Sequence, residues 1–262
     1  MTAKREKAFR NAIASTRMEG LSFSKKSEQD CLRYLDGHLD AATLVREVLR
    51  QPATGHCGPE VTLMPYTIDP SSADCYPCTS VLINKFDLHS QQELDRVEAV
   101  LVTAKAAQWE ESPLCSTFDF EHYKAIHRHL FCDLYEWAGV PRSINISKKG
   151  TQFCPADEIP RVSSAIFRRL AEQNFFQSLS FDDFVDAFVD FYIRTNELHP
   201  FREGNGRTQR VFLAQLAQHA GYQLDFSCID PDELMVATIW SAQGVDTMLR
   251  HLFREMLSPL AD

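Results

Sequence analysis

No apolar run in the 262-residue sequence approaches the length of a membrane span. The opening segment, Met1 to Arg10, is charged and has no apolar signal core, so ordinary secretion is not expected and a cytoplasmic location is. Blocks of lysine and arginine are also missing, and the formal net charge is -9. A broad basic face for nucleic acid or an anionic membrane is therefore not expected, although a local basic pocket stays open. The eight cysteines (Cys31, Cys57, Cys75, Cys78, Cys115, Cys132, Cys154 and Cys228) are scattered rather than framed for disulfides, which fits a reducing compartment. One C-x-x-C pair, Cys75 and Cys78, has no second C-x-x-C or H-x-x-x-H to complete a zinc site and no βαβ pattern around it. Chance spacing in a turn-rich segment accounts for it.

What is present is an ordinary globular balance, 44% hydrophobic and 24% charged. Apolar spacing predicts three helices before residue 50: Ala3 to Glu19 stopped by Gly20, Ser27 to Leu35, and Asp40 to Leu49 with Asp40 as N-cap. Such a small piece buries little by itself and should lean on something else. Residues 51–74 hold Pro52, Gly55, Gly58, Pro59, Pro65 and Pro70, and read as a linker or irregular arm. From Ser90 the pattern is helical again. Ser90 to Glu93 reads as a capping box opening a helix to about Trp109, and another helix runs from Phe120 to Trp137, ended by Gly139. Ser143 to Ser147 then alternates in the strand manner, Lys148-Lys149-Gly150 supplies a turn, and Thr151 to Cys154 can return as a hairpin. Helices resume over 157–173, 181–196, 205–219 and 231–243, the last with Asp230 and Pro231 as N-cap and N1, and a final one follows over 246–257. The expected architecture is an all-α fold with one short β-hairpin and a small N-terminal three-helix module packed on the core. The divisions are 1–50, a linker over 51–74, and a main domain over 75–262.

Chemistry concentrates in the run from His199 to Arg210. Pro200 ends one helix, and Gly204 and Gly206 permit tight turns before the next begins near Asn205. The free N–H groups and positive end of that helix make an anion site. Arg207 and Arg210, three apart, share a helix face there and suit a polyphosphate. Glu203 is a lone carboxylate beside this positive cluster, the kind that holds Mg²⁺ together with substrate phosphates. His199 can accept a proton from an incoming hydroxyl near neutral pH. Each feature alone has a structural explanation; their concentration in twelve residues does not.

The run matches the signature H-P-F-x-[D/E]-G-N-G-R-x-x-R at every position, and the chain thereby resembles the Fic family. Tyr76-Pro77 with Val81 to Lys85, and His127 to Gly139 with its Leu-Tyr-Glu-Trp-Ala-Gly, extend the resemblance over about Cys75 to Gln243. The resemblance implies a protein adenylyltransferase. His199 would deprotonate a target hydroxyl, which attacks the α-phosphate of ATP. Glu203 would hold Mg²⁺, the backbone of Gly204, Asn205 and Gly206 would cradle phosphates, and Arg207 and Arg210 would hold the β- and γ-phosphates. The hairpin residues Lys148, Lys149, Gly150, Thr151, Gln152 and Phe153 would register a target segment by strand pairing, or serve only as a structural hairpin.

Ser15-Thr16-Arg17-Met18-Glu19-Gly20 resembles the Fic inhibition motif [S/T]-x-x-x-E-[G/N], and residues 1 to about 50 resemble the separate antitoxin partners of certain bacterial Fic toxins. The implication is an intramolecular inhibitor in which Glu19 pairs with Arg210 and takes the space of the γ-phosphate. Family targets include bacterial topoisomerase subunits, small GTPases and chaperones, and the toxin-like arrangement favours the first. Alternatives on the same scaffold are UMP or phosphocholine transfer, removal of AMP, or a non-catalytic nucleotide-binding or toxin-neutralising module.

Overall fold

The computed structural model describes residues 3–51, 74–113, 116–148 and 151–260. Most of the linker expected over 51–74, and Lys149 and Gly150 of the expected flap, lie outside the described residues. The chain opens with α1 (Ala3–Arg17), α2 (Lys25–Leu35) and α3 (Ala41–Arg50). It continues with α4 (Gln91–Glu111), α5 (Phe120–Phe131), a hairpin of β1 (Ser147–Lys148) and β2 (Thr151–Gln152), α6 (Ile159–Glu172), α7 (Phe181–Leu198) and α8 (Asn205–His219). Then come β3 (Tyr222–Leu224), α9 (Pro231–Ser241), α10 (Thr247–Met256) and β4 (Leu257–Pro259).

Helix α4 is the axis of the fold. It buries Leu94, Val97, Val100, Leu101, Ala104, Ala107 and Trp109, on more than one face, as expected of a central helix. Helices α1, α2, α3, α5 and α8 all pack against it. The N-terminal module thus finds its support on α4, and Phe9, Ala12, Cys31, Leu44, Val45 and Val48 join the same hydrophobic cluster as the rest of the protein. A guanidinium secures the junction: Arg96 of α4 donates to the carbonyls of Val48 and Gln51 (2.8 Å to Gln51) at the end of α3.

The helix ends follow local chemistry. Asp40 caps α3 by accepting from the Thr43 N–H, Asp230 caps α9 with Pro231 at N1, and Gly20 takes φ +76° after α1. Ser90 accepts from the Glu93 N–H as the N-cap of α4, while the reciprocal capping box belongs instead to Ser24 and Ser27 at α2.

Three further expectations are corrected. Helix α5 stops at Phe131 rather than Trp137. The following residues serve tertiary bonds, with the Leu134 carbonyl accepting from Lys85 N–H (2.8 Å) and the Gly139 N–H donating to His127 Nδ1 (2.7 Å). The hairpin is shorter than 143–147 and 151–154, because the Ile144 and Cys154 carbonyls accept from Arg142 instead of joining a ladder. A second antiparallel pair, β3 with β4, places Leu224 opposite Leu257 and ends the last helix at Met256.

Candidate active site

The site is built where α7 gives way to α8. His199 ends α7 in the left-handed region at φ 41° and ψ 60°, a conformation that disfavours any residue with a Cβ by about 1–2 kcal/mol. Several bonds hold it there. Its N–H donates to Thr195 O (3.3 Å), and its carbonyl accepts from Arg142 Nε (2.9 Å). Its Nδ1 lies 3.2 Å from Asn196 O. A carbonyl only accepts, so Nδ1 carries the hydrogen and Nε2 is the basic nitrogen. The Phe153 ring stacks on the imidazole at 3.7 Å and 13°.

Asn205 closes the loop after Pro200. Its side-chain oxygen accepts from Phe201 N–H (2.8 Å), and its amide donates to Phe201 O (2.7 Å). Gly204 follows the loop round at φ +80°, where a Cβ would run into the Phe131 ring. Helix α8 then starts without a side-chain cap, so its first-turn N–H groups present the unpaired positive end of the helix. His127 braces the loop from beneath. It stacks on Phe201 at 3.8 Å and donates from Nε2 to Glu203 O (3.0 Å), while Nδ1 accepts from Gly139. Burial holds its pKa down at about 3, so the ring is neutral.

The Glu203 carboxylate accepts from Gly204 N–H (2.8 Å) and from Arg207 (3.3 Å). Burial raises its pKa, opposed by Arg207 and reinforced by Glu98 and Glu19. Arg207 and Arg210, expected on one face, diverge. Arg207 is buried, lies over the Phe131 ring at 4.9 Å, and pairs with Glu98 of α4 (2.6 Å) as well as with Glu203. Burial alone would weaken its charge, but Glu98, Glu19 and Glu203 around it keep the guanidinium firmly protonated.

Arg210 turns toward the N-terminal module. Its Nε donates to Ser15 Oγ (2.7 Å), its Nη2 to Ser15 O (3.0 Å), and the same nitrogen pairs with the Glu19 carboxylate. Gly206 lies beneath this pair, and a Cβ there would strike the Glu19 carboxylate. One open cleft collects Glu19, His199, Gly206 and Arg210, walled on its far side by Leu234, Met235, Thr238 and Ile239 of α9.

Of the expected flap residues, Lys148 pairs with Thr151 and Gln152 with Ser147 in the backbone ladder, and Phe153 reaches the imidazole. Sequence reasoning missed Arg142. It is buried and donates to three carbonyls, those of His199, Ile144 (2.7 Å) and Cys154 (2.5 Å), while its own N–H donates to Pro200 O (2.8 Å). One side chain therefore ties both feet of the hairpin to the left-handed turn. An arginine beside Pro141 gives no periodic signal, so only the folded contacts disclose it.

Known proteins resemble both parts of the chain. The Fic/DOC family matches residues 117–217, and the antitoxin VbhA family matches residues 5–51. A probable protein adenylyltransferase of Sinorhizobium fredii, y4lH, is 39% identical over 184 residues, covering 70% of this chain and 94% of that relative. The protein adenylyltransferase VbhT of Bartonella schoenbuchensis is 34% identical over 182 residues, 70% of this chain but 38% of VbhT. Among solved structures, the VirB-translocated effector BepC of Bartonella tribocorum, with bound AMPPNP, superposes with a TM-score of 0.69 at 27% identity, covering 72% of this chain and 97% of that one.

Proposed function

The chain belongs to the Fic family of nucleotidyltransferases and joins it to an antitoxin VbhA-type module, and from that premise we propose that it is an autoinhibited protein adenylyltransferase, moving AMP from Mg-ATP to a hydroxyl of a target protein. The observation that carries this reading is the Arg210–Glu19 pair beside the uncapped start of α8, in the cleft that also holds His199. Arginine at a helix N-terminus suits a terminal phosphate, and here a carboxylate stands in its place.

In the proposed reaction the target hydroxyl gives its proton to His199 Nε2 as its oxygen bonds to the α-phosphorus. The bond from that phosphorus to its bridging oxygen breaks, and pyrophosphate leaves. The α8 N–H groups and Arg210 hold the phosphates in line, and positioning with charge stabilisation supplies most of the rate enhancement. The apolar side chains of α9 give the nucleoside a wall to lie on. The hairpin offers main-chain groups to an extended target segment.

Glu203 suits magnesium held mainly by substrate phosphates. It is a single carboxylate near the phosphate cradle, and among the described residues no group of three or more His, Cys, Asp or Glu forms a site of its own. Bound there, the ion would neutralise phosphate charge. Arg207 keeps the Glu203 carboxylate oriented from below.

Incubation of the full chain with labelled ATP and Mg²⁺ tests the reading. Glu19→Gly should raise label transfer at least about tenfold, because a charge-assisted hydrogen bond is worth roughly 1.5–3 kcal/mol. Adding His199→Ala should silence it. A Glu19→Gly protein as quiet as the parent removes the inhibitory part. Transfer surviving His199→Ala removes the assigned base.

A further inference from the structure

The inhibition motif covers the last residues of α1 and the turn that follows it, yet a remote contact decides where that end lies. Asn11 is buried at 2% exposure, and its amide group is used on both sides. Nδ2 donates to Leu224 O (3.1 Å), and Oδ1 accepts from Phe226 N–H (3.0 Å). These backbone groups flank Asp225, whose N–H donates to Met256 O (3.0 Å), so the acceptor segment is itself pinned to the end of α10. Asn11, Ser15 and Glu19 follow at four-residue spacing, and all three side chains bond the catalytic core. Beside them Ala8, Ala12 and Thr16 are buried, and Thr16 Oγ1 lies 2.5 Å from Thr103 Oγ1 of α4.

We propose that Asn11 sets the register of α1 on the catalytic core. This rests on the reading of α1 as an inhibitor. Small buried residues such as Ala8 and Ala12 allow a helix to slide, whereas an amide gripping two fixed backbone groups does not. A slip of one residue moves a helix about 1.5 Å and turns its side chains by about 100°. Such a slip would carry Glu19 away from Arg210. Asn11 lies six residues, about 9 Å of helix, before the end of α1 at Arg17, so its side chain acts by position and touches neither the cleft nor the Glu19 carboxylate.

The energetic asymmetry is specific to the docked state. With α1 released, water pairs the Leu224 carbonyl and Phe226 N–H. With α1 docked and Asn11 truncated, both are buried without the amide that satisfied them, which shifts the docked–released balance roughly ten- to a hundredfold.

The test is a double-mutant cycle on the full chain with labelled ATP and Mg²⁺: parent, Asn11→Ala, Glu19→Gly and the pair together. Asn11→Ala should raise label transfer about tenfold. In the Glu19→Gly background it should add less than about twofold, because a register lock works only through Glu19. If Asn11→Ala folds poorly by circular dichroism, Asn11→Ser, too short to bridge both backbone groups, replaces it in the cycle. Silent Asn11 variants beside an active Glu19→Gly overturn the register lock and leave the inhibitory reading standing. A doubly substituted protein well below Glu19→Gly shows general damage and also overturns the lock. If Glu19→Gly too is silent, both readings fall.

Discussion

Replacing Arg142 by glutamine separates what the loop does from what the nucleotide pocket does. The guanidinium donates to His199 O at 2.9 Å, Ile144 O at 2.7 Å and Cys154 O at 2.5 Å, and its side chain is not part of the cleft. Glutamine carries one amide nitrogen and cannot serve three carbonyls. Each hydrogen bond from a charged donor contributes about 1.5–3 kcal/mol, and the three share one side chain, so their values do not simply add. Losing the hold on His199 alone, at about 1.5–3 kcal/mol, lowers the fraction of properly oriented imidazole roughly ten- to a hundredfold. In the Glu19→Gly background, kcat should therefore fall by about that factor while KM for ATP stays within about twofold. The thermal midpoint should drop by about 6 °C or more for a loss near 3 kcal/mol in a chain of this size. Steady-state rates of label transfer, taken well below the new midpoint, are the assay. Arg142→Lys keeps the charge with a single nitrogen and should recover part of kcat. A folded Arg142→Gln protein with unchanged kcat, or with KM for ATP raised in proportion, would refute the positioning role.

Two further outcomes follow from the same loop. Gly204→Ala combines φ +80° with a Cβ driven into Phe131, so it should destabilise by about 2–5 kcal/mol and visibly lower the thermal midpoint in differential scanning calorimetry; an unchanged midpoint would show that Phe131 yields freely. His127 is held neutral, with its pKa lowered to about 3 by burial, against about 6.5 in the unfolded chain. The unfolded chain therefore binds one more proton between those values, and stability falls on acidification through that window by up to about 1.4 kcal/mol per pH unit. His127→Gln, which can still donate and accept, should flatten that part of the urea-measured stability profile between pH 6.5 and 4, and an unaltered slope would contradict the buried neutral ring.

The site was legible because its parts are adjacent in sequence. Pro200, Gly204 and Gly206 mark the turn, and local propensity alone starts α8 at Asn205. The Ser15–Glu19 contact with Arg210 was legible only through the resemblance, since nothing in the spacing of α1 says which guanidinium it meets. What sequence could not give were the long-range choices. Arg207 and Arg210 are three residues apart, yet the acid of α4 draws one down into the core while α1 takes the other. The early end of α5 and the shortened hairpin have the same origin: carbonyls and N–H groups that local pattern would assign to a helix or a ladder are taken by Lys85, His127 and Arg142. β3 and β4 are three residues each and lie far apart in the chain, so neither carries a periodic signal long enough to read.

The way Arg210 is shared bears on how inhibition is relieved. Two of its bonds go to Ser15, through the hydroxyl and the carbonyl, and one goes to the Glu19 carboxylate. Removing that carboxylate leaves the Ser15 contacts, the Thr16–Thr103 bond and the Asn11 amide in place, so α1 can stay docked while the space of a terminal phosphate opens. Relief through the carboxylate and relief through undocking are then different states. In the first, α1 still protects the Leu224–Phe226 backbone. In the second, that backbone meets water. A nucleotide that must displace Glu19 competes with its charge-assisted bond to Arg210, whereas a signal that lifts the helix must break the apolar stripe of Ala8 and Ala12 as well. Substrate therefore meets the inhibitor at Glu19, while Asn11 and the buried face of α1 hold it from the far end, which suits a helix that restrains the enzyme without being expelled by each molecule of ATP.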